Sequence, residues 1–164
     1  MPSTIDPGRQ DAFVAARSQL RSALEAGGPR RALEFLNSRT PHRFTAMYRF
    51  DDATLRNLVF YDADHPDAEH TDDIPVLASY CVFVRDANAT FSTGHAARDE
   101  RVGDHPKRQV LQAYCGVPLR DEEGRMFGTI CHFDFDPMEI TGEEVELMEA
   151  VAPMLRRALG RAGD

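Results

Sequence analysis

The sequence predicts an α+β fold in which an antiparallel sheet packs against a separate layer of helices. Segments with strand-like alternation follow one another through short turns in the middle of the chain, whereas helical spacing of apolar residues marks both ends. Consecutive strands joined by tight turns pair in antiparallel fashion, and helices segregated from strands form their own layer. A length of 164 residues fits one domain, and no linker divides residues 1–164.

The N-terminal helix is predicted within residues 1–28. Apolar residues recur there at steps of three and four, and the pair Gly27-Gly28 ends the pattern because glycine disfavours a helix interior. Pro29 suits the first turn of a second, short helix. The apolar positions that define the first stripe are Phe13, Ala16, Leu20 and Leu24.

The C-terminal helix is predicted over residues 141–161. Thr141, followed three residues later by Glu144, matches the capping box that starts many helices. Pro153 lies inside the pattern and is expected to bend or locally break the helix. The stripe suits packing against another helix, and its apolar positions are Val145, Met148, Ala152, Leu155 and Leu159.

Two strands and an acidic loop follow the first helices. Residues 44–50 alternate apolar and polar side chains, the turn residues Asp51-Asp52 come next, and residues 55–61 form a second strand. Residues 62–73 are polar and acidic and are predicted to form a surface loop, because their carboxylates lack the spacing of a calcium loop.

A helix is predicted to begin near Pro75 and to turn Cys81 inward. Residues 88–109 come next; they contain a short strand near Phe91, and their few apolar residues indicate a mobile wall over a pocket. The apolar positions predicted to share the inward helix face are Ile74, Leu77, Cys81 and Val84.

The stretch "YCGVPLRDEEGRMFGTICHFD", Tyr114 to Asp134, is predicted to form a hairpin with a loop at residues 122–124. Gly124 occupies the left-handed position that such a loop requires. Counting inward from that loop pairs Cys115 with Cys131, with their Cβ atoms roughly 5 Å apart on one face. The apolar companions predicted on that face are Val117, Leu119, Phe127 and Phe133.

The opposite face of the hairpin is the predicted pocket floor. Two glycines on that face leave volume above the sheet, and three polar groups gather at one end of it, as in many small-molecule sites. The glycines are Gly116 and Gly128, and the polar groups belong to Tyr114, His132 and Asp134. A redox pair, a ligand pocket and a plain core are therefore all open interpretations of the hairpin.

Charge and cysteine content limit the possible functions. The formal net charge of −8 disfavours broad contact with nucleic acid, and no apolar run is long enough to span a membrane. The start of the chain lacks a secretory signal, which predicts a cytoplasmic protein with reduced thiols. The six histidines show no metal-ligand spacing, and no catalytic constellation or phosphate-binding loop is present.

At this point the residues resemble the GAF domain family. The hairpin is similar to the family's signature, in which a Gly-Val-Pro-Leu strand, a charged turn and a Gly-Thr-Ile-Cys strand ending in Asp follow one another. The segments "SYCVFV", Ser79 to Val84, and "ARDERVGDHP", Ala97 to Pro106, resemble the helix and connection that precede it. The resemblance extends from about Ala32 to Leu159.

The resemblance implies a GAF-like central antiparallel sheet with terminal helices on one face and pocket-covering helices and loops on the other. It also implies a homodimer formed through the terminal helices and a sensory domain that acts through a separate signalling protein. The ligand and any cofactor stay unidentified, because the family binds cyclic nucleotides, bilins, haem or small metabolites. The expected pocket residues are Tyr48, Phe83, Asp99, Tyr114, His132 and Asp134.

The alternative is a thiol-based redox enzyme or sensor. Free methionine sulfoxide reductases are small GAF proteins with three cysteines, and this chain is similar in size and cysteine count. Their reactive cysteines lie ahead of the final hairpin, whereas residues 86–110 contain none, so the sequence favours a non-catalytic sensor. The candidate redox residues are Cys81, Cys115 and Cys131.

Overall fold

The computed structural model describes residues 6–163 and forms one six-stranded sheet with three α-helices. The helices are α1 (Pro7–Asn37), α2 (Cys81–Ala87) and α3 (Gly142–Gly163). The strands are β1 (Phe44–Asp51), β2 (Thr54–Asp62), β3 (Ile74–Pro75), β4 (Phe91–Thr93), β5 (Ala113–Arg120) and β6 (Met126–Asp134). Three short 3₁₀ turns span Val76–Ala78, Ala96–Arg98 and Glu100–Val102.

The sheet is antiparallel throughout, with strand order β3-β2-β1-β6-β5-β4. Helices α1 and α3 pack on one face, called here the helix face, and α2 packs with the 3₁₀ turns on the other, called the cavity face. The predicted α+β class and the two-sided arrangement of helices are therefore confirmed. The two faces enclose separate apolar cores, because alternate side chains of each strand point to opposite sides.

Helix α1 changes direction at Gly28. The φ angle of Gly28 is 76°, in the left-handed region that glycine adopts without steric cost, and Pro29 follows as the first residue of the next helical segment. The predicted end of the first helix and start of a second are confirmed. Residues 1–5 of the predicted N-terminal helix lie outside the described residues.

Helix α3 begins as predicted, although its capping box is only half formed. The backbone N–H of Glu144 donates to Thr141 Oγ1 at 3.2 Å. The Glu144 carboxylate instead accepts two hydrogen bonds from Arg39, at 2.7 and 3.1 Å, and so ties α3 to the end of α1. The helix continues through Pro153 to Gly163, so the predicted local break does not occur.

The prediction that a helix begins near Pro75 is wrong. Ile74 and Pro75 form the edge strand β3, a 3₁₀ turn follows, and α2 starts only at Cys81. Leu77 is 70% exposed, so it does not share a buried face with the other apolar residues. Cys81 is completely buried, which confirms its predicted inward direction.

The predicted register of the hairpin is also wrong, although its turn is correct. Gly124 has a φ of 83°, and the N–H of Asp121 donates to the carbonyl oxygen of Arg125 at 2.8 Å. Counting inward from the turn, the register shifts by one residue between Arg120 and Leu119, at a β-bulge. Cys115 therefore pairs with His132 rather than with Cys131.

The bulge moves the inner half of β6 to the face opposite to the one predicted. Cys131 joins the cavity face opposite Gly116, whereas Cys115 stays on the helix face. A one-residue shift exchanges the faces of every later side chain in a strand. The predicted Cys115–Cys131 pair is thus excluded by the fold, because the sheet lies between the two sulfurs.

Candidate functional site

A cavity of about 220 Å³ lies on the cavity face of the sheet. Its floor consists of side chains from four strands, mostly aromatic, and its cover consists of two segments, residues 71–79 and 107–111. The residues that line it are Phe44, Tyr48, Phe60, Thr71, Asp72, Ile74, Ala78, Ser79, Lys107, Val110, Leu111, Tyr114, Cys131, Phe133 and Phe135.

The cavity has an apolar entrance with two charged groups. Val110 is 53% exposed and Phe135 is 49% exposed, although both are large apolar residues. Asp72 and Lys107 also line the cavity and are exposed. Lys107 is the only lysine of the chain, which otherwise uses arginine for its positive charges.

Two hydrogen bonds hold the covering segments in place. The hydroxyl of Tyr80 donates to the carbonyl oxygen of Leu111 at 2.8 Å. The Nε2 atom of His105, two residues before the second segment, lies 3.1 Å from the carbonyl oxygen of Ser79 in the first segment. The sequence does not reveal this cover, since its patterns divide residues 71–79 between a predicted loop and a predicted helix.

Residues 88–109, the predicted wall, cover little of the cavity. Ala96 and Val102 are buried within this segment, and the Arg108 guanidinium donates to the carbonyl oxygens of Ala96, Ala97 and Gly103 at 2.8–3.3 Å. These contacts contradict the expectation of few anchors. Lys107 is the one residue of this range that lines the cavity.

The structure brings two of the six predicted pocket residues to the cavity, Tyr48 and Tyr114. Phe83 packs against Phe91, with ring centroids 4.8 Å apart, and does not line the cavity. Asp99 forms an ion pair with Arg101 at 2.6 Å, and this hydrogen bond lowers the pKa of the Asp99 carboxyl despite its partial burial.

The other two predicted pocket residues lie away from the cavity, because the register shift reverses the direction of the β6 side chains. His132 is completely buried on the helix face, with its Nδ1 atom 2.7 Å from Thr45 Oγ1. Asp134 accepts a hydrogen bond from the backbone N–H of Arg43 at 2.8 Å. The sequence offered no sign of the bulge that produces this outcome.

His132 stacks on His42, with ring centroids 5.8 Å apart. Burial lowers the pKa of His42 to about 4, against a smaller opposing effect of Asp134. Burial, reinforced by the neighbouring His42, lowers the pKa of His132 to about 3. Both rings are therefore neutral near pH 7, and within residues 6–160 no hydrogen-bond partner reaches His132 Nε2.

A cluster of thiol and hydroxyl groups lies beneath the cavity floor, around Cys81. Tyr114 donates its hydroxyl hydrogen to Cys81 Sγ at 3.1 Å, and Thr129 Oγ1 lies 3.2 Å from the same sulfur. Cys131 belongs to the same buried cluster on the cavity face, and its strand partner Gly116 packs against the Tyr114 hydroxyl. Cys131 also lines the cavity, so the cluster meets the cavity at this residue.

The cluster favours ionisation at Cys81. Burial is the largest influence on this thiol and opposes ionisation, but hydrogen bonds from Cys131, Ser79, Thr129 and Tyr114 together lower the pKa of Cys81 to about 7. Burial raises the pKa of Cys115, on the helix face, to about 12. Burial, reinforced by the neighbouring Cys81, also raises the pKa of Cys131 well above its usual value, so Cys81 is the most acidic of the three thiols.

A larger depression of about 470 Å³ lies between α1 and α3. Many of its lining groups are charged and already paired, including Arg9 with Glu143 at 3.3 Å. This depression is a solvated groove between helices, whereas the cavity on the other face has an apolar floor. Among the described residues, no group of three or more His, Cys, Asp or Glu side chains is arranged to hold a metal ion.

The sequence model of the GAF domain family matches residues 32–159, and the chain belongs to this family. The GAF domain is a sensory and regulatory fold. A search of curated protein sequences finds no match to this chain. None of the described helices has the length and hydropathy needed to cross a membrane.

Solved structures show the same fold at low sequence identity. The GAF domain of a phosphoenolpyruvate-protein phosphotransferase from Acinetobacter has a TM-score of 0.69 at 10% identity, covering 98% of this chain and 99% of that one. A free methionine-R-sulfoxide reductase from Neisseria meningitidis has a TM-score of 0.67 at 14% identity, covering 96% and 93%. The chromophore-binding domain of a bacteriophytochrome from R. palustris has a TM-score of 0.71 at 12% identity, covering 98% and 64%.

Proposed function

We propose that this chain is a non-catalytic sensory domain that binds a small molecule in the cavity above β1, β5 and β6. The observation that supports this proposal is an apolar, aromatic floor beneath two short covering segments, with Tyr48 and Tyr114 among its polar groups. Cavities with an apolar lining and a few polar groups are typical of small-molecule sites.

The size of the cavity limits the ligand. Its volume of about 220 Å³ is below the range of roughly 300–1,000 Å³ that accommodates drug-sized ligands. A compact metabolite with an aromatic or branched apolar body fits this volume better than a tetrapyrrole. Its polar end would lie at the entrance, near Lys107 and Asp72, where solvent and both signs of charge are available.

Ligand binding would act on the covering segments. A molecule seated under residues 71–79 and 107–111 touches Leu111 and Ser79, whose carbonyl oxygens accept the hydrogen bonds from Tyr80 and His105 that hold these segments. Occupancy would shift the population of their conformations and change the surface presented to a separate signalling protein. We further propose a cytoplasmic homodimer that pairs through α1 and α3, where Val14 is 58% exposed.

Native and denaturing mass spectrometry of the gently purified protein tests this proposal. We expect a retained small molecule in the native spectrum, lost on denaturation, and a main peak at the mass of the dimer. Ala78→Phe fills the cavity and should abolish retention, since Ala78 lines it. Leu77→Phe, one residue away on an exposed side chain, is the matched control and should retain the molecule.

The outcome that contradicts the proposal is equally specific. If both variants retain the molecule, it binds elsewhere. If the wild-type protein retains no molecule, it should be tested with a panel of amino acids, aromatic acids and nucleotides. A ligand among them should raise the melting temperature of the wild type and of Leu77→Phe, in which the cavity is open, and should leave that of Ala78→Phe unchanged. A wild-type protein that responds to no member of the panel, or an Ala78→Phe variant that responds equally, would overturn the assignment.

A thiol-based redox enzyme or sensor, similar to free methionine sulfoxide reductases, is the second candidate. The observation in its favour is that a cavity-lining cysteine, Cys131, shares a buried cluster with a second cysteine whose ionisation is favoured, Cys81. Incubation with free methionine-R-sulfoxide and dithiothreitol tests the enzymatic form. Conversion that disappears in Cys131→Ser would favour it, and no conversion by the wild-type protein would favour the non-catalytic sensor.

A further inference from the structure

Cys81 lies in an environment that stabilises a negative charge on sulfur. Two side-chain hydroxyls, those of Tyr114 and Thr129, reach its Sγ atom at 3.1 and 3.2 Å. These hydroxyls come from different strands of the cavity face, β5 and β6, and the sulfur is completely buried. A buried cysteine that served only as an apolar residue would not require two hydroxyl neighbours.

Gly116 makes this arrangement possible. A Cβ atom at position 116 would lie 2.1 Å from the Tyr114 hydroxyl oxygen, so only glycine lets that hydroxyl lie across the sheet toward Cys81. Cys131 is the direct strand partner of Gly116. The close approach thus places a hydroxyl, Cys81 and Cys131 in one buried group next to the cavity.

We propose that Cys81 and Cys131 form a reversible disulfide when a hydroperoxide enters the cavity, making this pair an oxidation site of the domain. The inference uses the cavity of the proposed function only as the route of the oxidant and needs no other ligand. It differs from sulfoxide reduction, because the hydroperoxide and not a sulfoxide is the oxidant.

The chemistry balances as a two-electron oxidation. The pair loses its first proton at Cys81, and the remaining proton lies on Cys131, whose pKa is raised by burial and by the neighbouring Cys81. Cys131, after passing this proton to Cys81, attacks the terminal oxygen of the hydroperoxide; an S–O bond forms, the O–O bond breaks, and an alkoxide leaves, which water protonates. Cys81 then attacks the sulfenic sulfur, forming the S–S bond and releasing its thiol proton with the hydroxyl as water.

The fold gives the two cysteines different roles in this reaction. Cys131 lines the cavity and meets the oxidant first, whereas Cys81 lies behind it at the start of α2. Disulfide formation requires the two sulfurs to approach to about 2.05 Å. The bond would therefore draw α2 toward β6 and change the shape of the cavity floor, and so change the binding of a ligand there.

Cys115 provides an internal control. It is completely buried on the helix face, its thiol has a pKa raised by burial to about 12, and the sheet separates it from the other two cysteines. Hydrogen peroxide should therefore leave Cys115 reduced while the other two cysteines are oxidised.

The experiment treats the full chain with hydrogen peroxide and measures intact mass and disulfide-linked peptides. We expect a loss of two hydrogen atoms that dithiothreitol reverses, with the linkage mapped between Cys81 and Cys131. Cys115→Ser should keep this change, whereas Cys81→Ser should lose it and stop at a sulfenic acid on Cys131. A linkage to Cys115, or three thiols that remain free under peroxide, would overturn the proposal.

Two further variants test the chemistry without removing a cysteine. Thr129→Val preserves side-chain shape and removes one hydroxyl from Cys81, so the pair should lose its first proton at higher pH, and the pH at which disulfide formation reaches half its maximal rate should rise by about one unit. Ala78→Phe should slow oxidation because it narrows the route, and Leu77→Phe should not. An unchanged pH midpoint in Thr129→Val together with an unchanged rate in Ala78→Phe would contradict the assigned cluster and route, whatever the ligand test shows.

Discussion

The two faces of one sheet differ in how they are covered. The helix face is covered by two long helices, and its buried core includes Leu20, Met47, Ile130 and Leu155. The cavity face is covered by α2 and short turns, which leave a cavity of about 220 Å³ above aromatic side chains. Long helices present a continuous apolar stripe that can pack closely, whereas short segments cannot fill the same area.

This difference separates stability from function within a single domain. The helix face has an apolar core, and the two histidines buried on this face, His42 and His132, are kept neutral. The cavity face accommodates hydroxyl and thiol groups that contact each other, as between Tyr114 and Cys81. We therefore expect changes to the first face to alter folding and changes to the second to alter binding and thiol reactivity.

The largest expected effect comes from removing a core side chain on the helix face. Leu155 is completely buried, and Leu155→Ala should lower the free energy of unfolding by about 2–5 kcal/mol through lost burial and a residual cavity. Leu77→Ala, the same substitution at a 70% exposed position beside the cavity, should change it by less than about 0.5 kcal/mol. Urea denaturation measures both, and equal losses would contradict the assigned difference between the faces.

A drop in pH should also act through the helix face. His42 and His132 are neutral in the folded protein, with pKa values lowered to about 4 and about 3, whereas both titrate near 6.5 when unfolded. Below pH 6.5 the unfolded chain binds protons that the folded protein cannot, so stability falls as the pH decreases toward 4. The loss by pH 5 should be about 3–4 kcal/mol, because each ring contributes about 1.4 kcal/mol per pH unit below 6.5.

Denaturation series at pH 7, 6 and 5 test this pH dependence, and His132→Gln should reduce its slope. This window lies above the range in which the Asp99 carboxyl titrates, because its pKa is lowered by Arg101. Stability that stays constant from pH 7 to pH 5 would show that the two rings are accessible to protons in the folded state.

The smallest expected effect comes from introducing a steric clash on the cavity face. Gly116→Ala places a Cβ atom within 2.1 Å of the Tyr114 hydroxyl, and moving that buried ring should cost about 1–3 kcal/mol of unfolding free energy. The same change should raise the pH at which disulfide formation reaches half its maximal rate, since the hydroxyl neighbour of Cys81 is displaced. Gly160→Ala is the matched control, because nothing lies within 4 Å of that site and alanine favours a helix.

Urea denaturation and the peroxide assay together test Gly116→Ala. A Gly116→Ala protein that is as stable as wild type and has the same pH dependence of oxidation would mean that the Tyr114 ring moves freely. Destabilisation by Gly160→Ala of similar size would assign the loss to glycine replacement in general. Only a loss confined to position 116 supports the close packing around Cys81.

Local sequence signals predicted most elements of the fold correctly. The helix break at Gly28, the start of α3 after Thr141 and the turn at Gly124 each depend on residues within a few positions of one another. Backbone preferences and capping act over such short distances, so they are readable without the tertiary structure. The candidate site was predicted less well, and Tyr48 and Tyr114 are the predicted pocket residues that line the cavity.

The failures share one physical cause, which is contact between segments distant in the chain. The bulge in β6 coincides with Gly128 lying against β1, where a Cβ atom would be 2.0 Å from the carbonyl oxygen of Tyr48. No sequence pattern within the hairpin predicts this contact between strands. The register shift beside it nevertheless determines which faces Cys131 and His132 occupy. Residues 71–79 likewise acquired their role as a cover only by folding over the sheet.

The sequence by itself determined the α+β class, the positions of both terminal helices and the antiparallel pairing of strands, because periodicity and turn chemistry encode them locally. The tertiary structure decided which cysteines meet, which face they occupy and where the cavity opens. These properties depend on strand register, and a shift of one residue reverses the direction of each side chain that follows. Cys81 and Cys131, 50 residues apart in the chain, share one buried cluster for that reason.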